Sequence, residues 1–402
     1  MLELLDVVAK CGDFFRELSG LGGEVSAQGF RFEAIGQVAD VAAEFHPFIG
    51  KIGSGSGDWL IFHAERLPHR SLSANEVRLL GELDGLKFMK FYGLMLGLLV
   101  VMHSLTGCER SRVLGPPKAV PVREDGALAL RLMSFNIRYE TNEDLGSRAW
   151  RERVAGAVRM IRRERPDVIG VQEALHGQAA DLWASLPDYE FIGVGRDDGR
   201  RAGEYSGIFY RRERFRMAPG EQGTFWLSAR PNEPGSRTWG NETTRVAVWA
   251  RLVDLASGRG FYVFNTHWDH QSQPSREQAA LLIARKIDER SHLDEPVALI
   301  GDLNSIEANP GYLYLTGREV SVAGAKQKWR NFLSDAFQVL HSGVKERRTL
   351  HFWRGNRDGN LKVDHILVSR DASIEAAEII SCDEPLVSDH YPVTAQVVFP
   401  KS

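Results

Sequence analysis

The sequence has few cysteines, almost no excess of charge of either sign and few long apolar runs. Its 402 residues include three cysteines, Cys11, Cys108 and Cys382, which are too few and too scattered for a disulfide scaffold or a zinc knuckle. The formal net charge of −3 argues against a dedicated nucleic-acid-binding protein, although an enzyme that cleaves polymers needs only a local basic cleft. With 43% hydrophobic and 26% charged residues, the composition is that of a soluble globular protein.

One apolar run, at residues 91–102, follows Lys90 and is soon followed by Leu105-Thr106-Gly107-Cys108. It is shorter than the about 20 residues that span a bilayer, and it has the length of a signal-peptide core. Its last four residues resemble the lipobox of bacterial lipoproteins, which are cleaved before a lipid-carrying cysteine. The resemblance implies a signal segment over 89–107, lipidation at Cys108 and an extracytoplasmic protein anchored to a bacterial membrane. The alternative is a buried apolar helix or strand that ends in cysteine.

The position of this segment bears on where the protein starts, because 88 residues precede Met89. We predict that Met89 is the true start and that residues 1–88 are an extension from a mis-assigned reading frame. The alternative is a small helical domain over 1–88 followed by an internal membrane anchor. Residues 108–127 contain Pro116, Pro117 and Pro121, which favour an extended linker between the membrane and the next domain.

From residue 128 onward, alternating apolar strands and helical patterns predict one α/β domain over 128–400. The predicted strands cover 128–137, 168–171, 191–195, 206–210, 245–253, 261–266, 296–300, 362–369 and 393–399. Helices are predicted over 151–165 and from Ser275, where Ser275-Arg276-Glu277-Gln278 matches a capping box.

Polar residues recur where these strands end, which is where α/β sheets place their chemistry. They are Asn136, Glu173, Asn265, His267, Asp302 and Asn304, while Asp364 begins its strand. A single strand-end carboxylate is usually a cap or a turn residue, but a recurring set of oxygen donors suits Mg²⁺ or Mn²⁺. Zinc is disfavoured because the cysteines are isolated and no His-x-x-x-His pair is present. Three histidines in these segments, His267, His365 and His390, could transfer protons or bind anions.

The ordered motifs resemble the endonuclease/exonuclease/phosphatase superfamily. They are Met133-Ser-Phe-Asn136, Pro166-Asp-Val-Ile-Gly-Val-Gln-Glu173, Asn265-Thr-His267, Gly301-Asp-Leu-Asn304, Val363-Asp364 and Ser388-Asp389-His390. Each motif is weak alone, but six in the family's order are specific. The resemblance implies a four-layer α/β sandwich in which two mixed β-sheets pack face to face with helices outside.

The resemblance also implies roles for the motif residues. Glu173, helped by Asn136 and Asp389, would hold a Mg²⁺ (or Mn²⁺) ion against a phosphate oxygen. Asp302 would orient and deprotonate the attacking water, and Asn304 would hold phosphate or nucleophile in line.

The histidines receive roles in the same way. His390, paired with Asp364, would donate a hydrogen bond or a proton to the phosphoryl group. His267 and Asn265 would bind the non-bridging oxygens. The implied activity is metal-dependent hydrolysis of phosphodiester bonds in nucleic acid, nucleotides or phospholipid head groups, by a monomeric enzyme. The alternatives are a phosphomonoesterase acting on a sugar or inositol phosphate, and a catalytically silent envelope binding protein.

Some residues between the motifs have two interpretations. Trp226, Trp239, Trp268 and Trp353 could stack on a substrate base or sugar, or could pack in the core or its rim. Asp335 is expected to be a structural carboxylate of a strand or turn. Segments 224–228, 234–239 and 264–270 resemble a bacterial subgroup related to deadenylases and sphingomyelinases, which implies a reaction class but no substrate.

Overall fold

Strands with apolar residues on both faces build two β-sheets of six strands each in the computed structural model, which describes residues 126–381 and 385–401. The strands are β1 Leu128–Asn136, β2 Val168–Gln172, β3 Tyr189–Ile192, β4 Ile208–Arg211, β5 Phe215–Trp226, β6 Val246–Asp254, β7 Gly260–His267, β8 Val297–Asp302, β9 Val320–Val322, β10 Ala325–Gln327, β11 Leu333–Asp335, β12 Asp364–Ser369, β13 Ser373–Ile379 and β14 Val393–Phe399. One sheet has the order β13-β14-β1-β2-β4-β3, the other has the order β11-β12-β8-β7-β6-β5, and β9 pairs with β10 in a separate hairpin.

Helices cover the outer face of each sheet. They are α1 Trp150–Glu164, α2 His176–Ser185, α3 Gln273–Asp288 and α4 Pro310–Leu315, with a 3₁₀ turn at Gly146–Arg148. A fifth, short helix, α5 Ala336–Leu340, instead contributes Ala336 and Phe337 to the core between the sheets. One hydrophobic cluster lies between the sheets, a second joins α1 and α2 to the first sheet, and a third joins α3 and α4 to the second. Helix, sheet, sheet and helix therefore form four layers, and the predicted fold is confirmed.

Strand register brings the predicted site residues to one edge of this sandwich. Parallel pairing places Asn136 of β1 opposite Gln172 of β2, and His267 of β7 opposite Asp302 of β8. β12 runs antiparallel to β8 and places Asp364 opposite Asp302. This antiparallel pairing explains why Asp364 begins a strand although its functional neighbours end theirs.

The start of α3 corrects one prediction. The N-cap is Ser272, whose Oγ accepts a hydrogen bond from the backbone N–H of Ser275 at 3.3 Å. Ser275 lies buried in the first turn, so the predicted capping box beginning at Ser275 is wrong. The strand β5 and the helix α2 were not predicted.

In the part of the chain covered by the structure, no helix is both long and apolar enough to cross a membrane. The extension at 1–88, the signal segment at 89–107, the lipidation site Cys108 and nearly all of the linker at 108–127 lie outside the described residues.

Candidate active site

Polar side chains from both sheets meet at the edge where β1, β2, β7 and β8 end. Asn136, Asp302 and Asp364 are almost fully buried, with about one hundredth of their surface exposed. His267 and His390 are 5% exposed, whereas Glu173 and Asn304 are more accessible. The result is a buried polar group that opens to solvent along one side.

Asn136 links the two carboxylates at the centre of this group. Its Nδ2 donates to Glu173 Oε1 and to Asp302 Oδ2, each at 3.0 Å. Its Oδ1 accepts the backbone N–H of Arg138 at 3.0 Å, which fixes the orientation of the amide. In this arrangement Asn136 positions the carboxylates, and the oxygen that was predicted to bind a metal is held by Arg138.

Two residues of the group have left-handed backbone conformations. Glu173 has a φ of +63° and Asn304 a φ of +45°. Side-chain hydrogen bonds hold both turns: the backbone N–H of Tyr139 donates to Glu173 Oε2 at 3.1 Å, and that of Asn304 donates to Asp302 Oδ1 at 2.8 Å. Such strain is common where surrounding structure fixes a functional side chain.

Asp302 has the most strongly perturbed carboxylate of the group. Burial, reinforced by the nearby charge of Asp364, raises its pKa to about 7, although His390 acts in the opposite direction. A carboxylate that titrates near neutral pH can accept a proton from water and release it again, which is the requirement for a general base.

His390 and Asp364 form a buried pair. The His390 Nδ1–H donates to Asp364 Oδ2 at 2.8 Å, and His390 Nε2 lies 3.9 Å from Asp302 Oδ2. Burial alone would lower the pKa of His390, but Asp364, with help from Asp302 and Asp389, raises it well above the ordinary value. His390 is therefore an imidazolium at neutral pH, with Nε2–H directed toward the centre.

His267 has the opposite character. Asn304 Nδ2 donates to His267 Nε2 at 3.0 Å and to the carbonyl oxygen of Trp268 at 3.0 Å. Burial and the charges of Arg245 and Arg196 lower the pKa of His267 well below its usual value. His267 is therefore a neutral imidazole that carries its proton on Nδ1, and this buried atom has no hydrogen-bond partner among the described residues.

Asn265 does not reach this group, which corrects its predicted role in binding phosphate. Its Nδ2 donates to the carbonyl oxygens of Val171 and Gly207 at 2.9 and 2.7 Å, and its Oδ1 accepts from Gln172 Nε2 at 2.8 Å. Gly170 makes room for it, because a Cβ there would lie 2.6 Å from Asn265 Oδ1. Asn265 is thus a buried link between the two sheets.

His365 is also placed away from the group, on the other face of β12 from Asp364. Its Nδ1 lies 2.7 Å from Asp335 Oδ2 and 2.8 Å from Lys362 Nζ, and its Nε2 lies 2.9 Å from the carbonyl oxygen of Ser305. The expectation that His365 transfers protons or binds anions is therefore wrong, whereas the expected structural role of Asp335 agrees with this buried cluster.

The remaining predicted residues have mixed placements. Asp389 is 8% exposed, adjoins His390 and has a pKa that burial raises. Trp268 and Trp226 are buried, and Trp226 Nε1 donates to the carbonyl oxygen of Arg196 at 2.6 Å, so both belong to the core or its rim. Trp353 is partly buried near Arg148 and Arg153.

Sequence reasoning missed Arg153, which supports the site from α1. Its guanidinium donates to four backbone carbonyl oxygens at 2.6–3.1 Å, including those of Ile137, Arg138 and Val387. These contacts tie the segment after β1 to the segment before Asp389. The signal was present, because Arg153 lies on the apolar stripe of an amphipathic helix, where a cation is unusual.

The donors present fit a hard divalent cation. Ligand atoms of Glu173, His267 and Asp302 lie within 4.8 Å of one another, and so do those of Asp302, Asp364 and His390. Asp364 Oδ1 is a buried acceptor with no hydrogen-bond partner among the described residues. A set rich in carboxylate oxygen favours Mg²⁺ or Mn²⁺ over softer metals. Asp389 belongs to neither close group, so its predicted ligation stays a prediction.

The chain is similar to known proteins in both sequence and fold. A model of the endonuclease/exonuclease/phosphatase family matches residues 133–390. The chain is 34% identical to an endonuclease/exonuclease/phosphatase from Bacteroides vulgatus, with a TM-score of 0.60 and a match that covers 68% of this chain and 99% of that one. It is 29% identical to a mannosyl-6-phosphatase from Bacteroides thetaiotaomicron, with a TM-score of 0.58, over 67% of this chain and 100% of that one.

A curated relative matches over a shorter length. It is an uncharacterized protein from Acanthamoeba polyphaga mimivirus, 25% identical over 171 residues, which are 39% of this chain. The match spans 59% of that relative.

Proposed function

The chain belongs to the endonuclease/exonuclease/phosphatase family, and from this premise we propose that it is a divalent-metal-dependent hydrolase of phosphate esters. The observation that carries the proposal is the convergence of Glu173, Asp302 and the His390–Asp364 pair at one edge of the sandwich. Glu173, with Asp389 beside it, would hold Mg²⁺ or Mn²⁺. When bound, such an ion polarises a phosphoryl oxygen and neutralises negative charge that develops there.

Asp302 acts as the general base in this proposal. Asn136 Nδ2 and the backbone N–H of Asn304 hold its two oxygens at 3.0 and 2.8 Å, so the carboxylate is oriented before substrate arrives. With a pKa of about 7, it accepts a proton from the attacking water at neutral pH. Holding water in line with the scissile bond removes much of the entropic part of the barrier.

The two histidines act differently. His390 donates a hydrogen bond from its cationic Nε2–H to a phosphoryl oxygen, and Asp364 keeps it protonated and oriented. His267 is neutral, and its Nε2 accepts from Asn304 Nδ2 at 3.0 Å and lies 3.5 Å from Asp302 Oδ2, so the Asn304–His267 pair adjoins the proposed general base. Loss of one such preorganised donor commonly costs about 3 kcal/mol of transition-state stabilisation.

Two substrate classes follow from different observations. The motifs alone favour a phosphodiester. A phosphorylated sugar is the second candidate, because the chain is 29% identical to a mannosyl-6-phosphatase over that protein's full length.

The test compares hydrolysis of a chromogenic phosphodiester and of its monoester by the purified protein with Mg²⁺, Mn²⁺ or EDTA. We expect metal-dependent activity that falls at least 100-fold in Asp302→Asn. The matched control is Asp254→Asn, since Asp254 is a buried carboxylate at the end of β6, outside the site. Equal activity of Asp302→Asn and the unmodified protein would contradict the proposal. If the unmodified protein hydrolyses neither ester although the metal raises its melting temperature, the protein is better described as a silent binding protein.

The cellular location is a separate part of the proposal. We infer from residues 89–108 that the protein is exported and lipid-anchored through Cys108. Mass spectrometry of the native N-terminal peptide should find a lipidated Cys108, and Cys108→Ser should release the protein from membranes. Recovery of a peptide from residues 1–88 in the mature protein would contradict this.

A further inference from the structure

A second set of charged side chains lies beside His267 and takes no part in the proposed mechanism. We call it the arginine–carboxylate cluster, and its members are Arg196, Glu204, Arg245 and Asp269. Arg196 and Glu204 belong to the loop between β3 and β4, Arg245 immediately precedes β6, and Asp269 follows β7. Three separate segments therefore deliver these side chains to one place.

The cluster is only partly paired. Arg196 Nη1 bonds Glu204 Oε2 at 2.5 Å, but Arg245 Nη1 lies 4.0 Å from Glu204 Oε2 and Arg245 Nε lies 3.7 Å from Asp269 Oδ2. The last two distances are too long for hydrogen bonds. Arg245 Nε, Arg245 Nη1 and Asp269 Oδ2 consequently have no hydrogen-bond partner among the described residues, and neither has His267 Nδ1.

These unpartnered atoms are deeply buried. Arg245 is 4% exposed and Asp269 is 1% exposed. A buried donor or acceptor without a partner costs about 1–3 kcal/mol, so such atoms are typically completed by a ligand or by ordered water. Arg196 and Glu204, with side chains 15% and 14% exposed, are the members of the cluster that contact solvent.

The balance of charge selects the chemistry of the ligand. Two guanidinium groups face two carboxylates, so the charges of these four side chains balance. Without a net positive charge the cluster is poorly suited to a second phosphate. A hydroxyl group donates one hydrogen bond and accepts others, so it can bridge an arginine N–H and a carboxylate oxygen.

The position of the cluster relative to the proposed reaction centre indicates which part of the substrate it contacts. His267 Nε2 faces Asn304 and lies 3.5 Å from Asp302 Oδ2, whereas His267 Nδ1 lies 3.9 Å from Glu204 Oε2. One imidazole ring therefore separates the proposed reaction centre from the cluster. We infer that the arginine–carboxylate cluster binds the hydroxyl groups of the alcohol that is released, and that this alcohol is a sugar. The inference rests on the proposed phosphate-ester hydrolysis.

The experiment measures the preference of the enzyme for a sugar phosphate over a phosphate ester without hydroxyl groups. This preference is the ratio of kcat/KM, measured with Mg²⁺, for a hexose 6-phosphate to that for cyclohexylmethyl phosphate, which has a ring of similar size and no hydroxyl group. The unmodified protein should prefer the hexose phosphate. Glu204→Gln, which keeps the size of the side chain, should lower that preference about 10- to 100-fold, the usual effect of losing a hydrogen bond to a charged group.

The matched control is Glu295→Gln. Glu295 forms an equally shielded pair with Arg251 of β6, with side chains 15% and 16% exposed, and the preference should stay unchanged in this variant. Arg245→Lys provides a second test, because it retains the buried positive charge and removes the planar guanidinium. Thermal melting verifies that each variant is folded.

The outcomes separate the inference from the function on which it rests. An unmodified protein that hydrolyses both esters equally, or a Glu204→Gln variant with an unchanged preference, would overturn the sugar subsite and leave phosphate-ester hydrolysis standing. Preferential cleavage of a nucleotide with no effect of Glu204→Gln would overturn it too. Absence of hydrolysis of any phosphate ester with metal present would refute the proposed function itself.

Discussion

Replacing Asp335 with asparagine should strongly destabilise the protein, because it would break a buried charge cluster. Asp335 Oδ2 accepts hydrogen bonds from Lys362 Nζ at 3.1 Å and from the Tyr312 hydroxyl at 3.1 Å, and it lies 2.7 Å from His365 Nδ1. Its Oδ1 accepts the N–H of Gln338 and caps α5. Burial opposes ionisation, but Lys362 and His365 hold the pKa of Asp335 well below its usual range.

The size of the expected destabilisation follows from the burial of Lys362, the partner of Asp335. The Lys362 side chain is 0% exposed, so loss of the carboxylate leaves an ammonium group in the core without its counter-charge. Removing one partner of a buried ion pair costs about 3–5 kcal/mol. In a large domain, about 2–4 °C of melting temperature corresponds to each kcal/mol, so Asp335→Asn should lower the melting temperature by about 6–20 °C.

Calorimetry of the metal-free protein measures this effect. Asp335→Asn combined with Lys362→Met should recover part of the loss, because the uncompensated charge is then absent. Glu319→Gln is the control, since Glu319 and Lys326 form an ion pair on the surface, and its melting temperature should not change measurably. An Asp335→Asn variant that melts with the unmodified protein would refute the reasoning.

Three further predictions concern the site and its support. Saturating Mg²⁺, at about 100 times its Kd, should stabilise the protein by about 2.7 kcal/mol over EDTA in thermal melts, and Glu173→Gln should abolish the difference. Asp364→Asn should lower the pKa of His390, so that in NMR titrations of metal-free protein the imidazolium is lost at a lower pH; an unchanged midpoint would contradict the assigned pair. Arg153→Met leaves several buried carbonyls unpaired at about 1–3 kcal/mol each, and urea unfolding that matches the unmodified protein would argue against its bracing role.

The α/β class and the polar residues at the strand ends could be predicted because their signals are local, whereas the four-layer arrangement of two sheets was implied only by the resemblance to the family. A strand that ends in a polar residue is visible in a short segment, and parallel pairing of β7 with β8 then brings His267 beside Asp302. The strand β5 was missed because it is long, irregular in burial and interrupted by a shift in its pairing with β6. The helix α2 was missed because its amphipathic pattern is weak and its cap, Leu175, is not a usual capping residue.

Orientation of side chains was the part that sequence could not supply. Asn265 and His267 lie two residues apart on β7 and were expected to act together. The side chain of Asn265 instead forms hydrogen bonds between the two sheets. Asp364 and His365 are neighbours on β12 and point to opposite faces, as alternation in a strand requires. Which face meets the site depends on the partner sheet, and that information is absent from either segment alone.

The two faces of β12 connect stability to chemistry. On one face, Asp364 orients His390; on the other, His365 contacts Asp335 and the carbonyl oxygen of Ser305, the residue after Asn304. The buried ion cluster behind β12 thus fixes both the strand that carries Asp364 and the turn that carries Asn304. Preorganised hydrogen-bond donors contribute to catalysis only when their positions are fixed. A buried charge cluster whose disruption costs several kcal/mol can hold them in this way. Asp335→Asn should therefore lower kcat in protein that is still folded, and a folded variant with unchanged kcat would show that the two faces act independently.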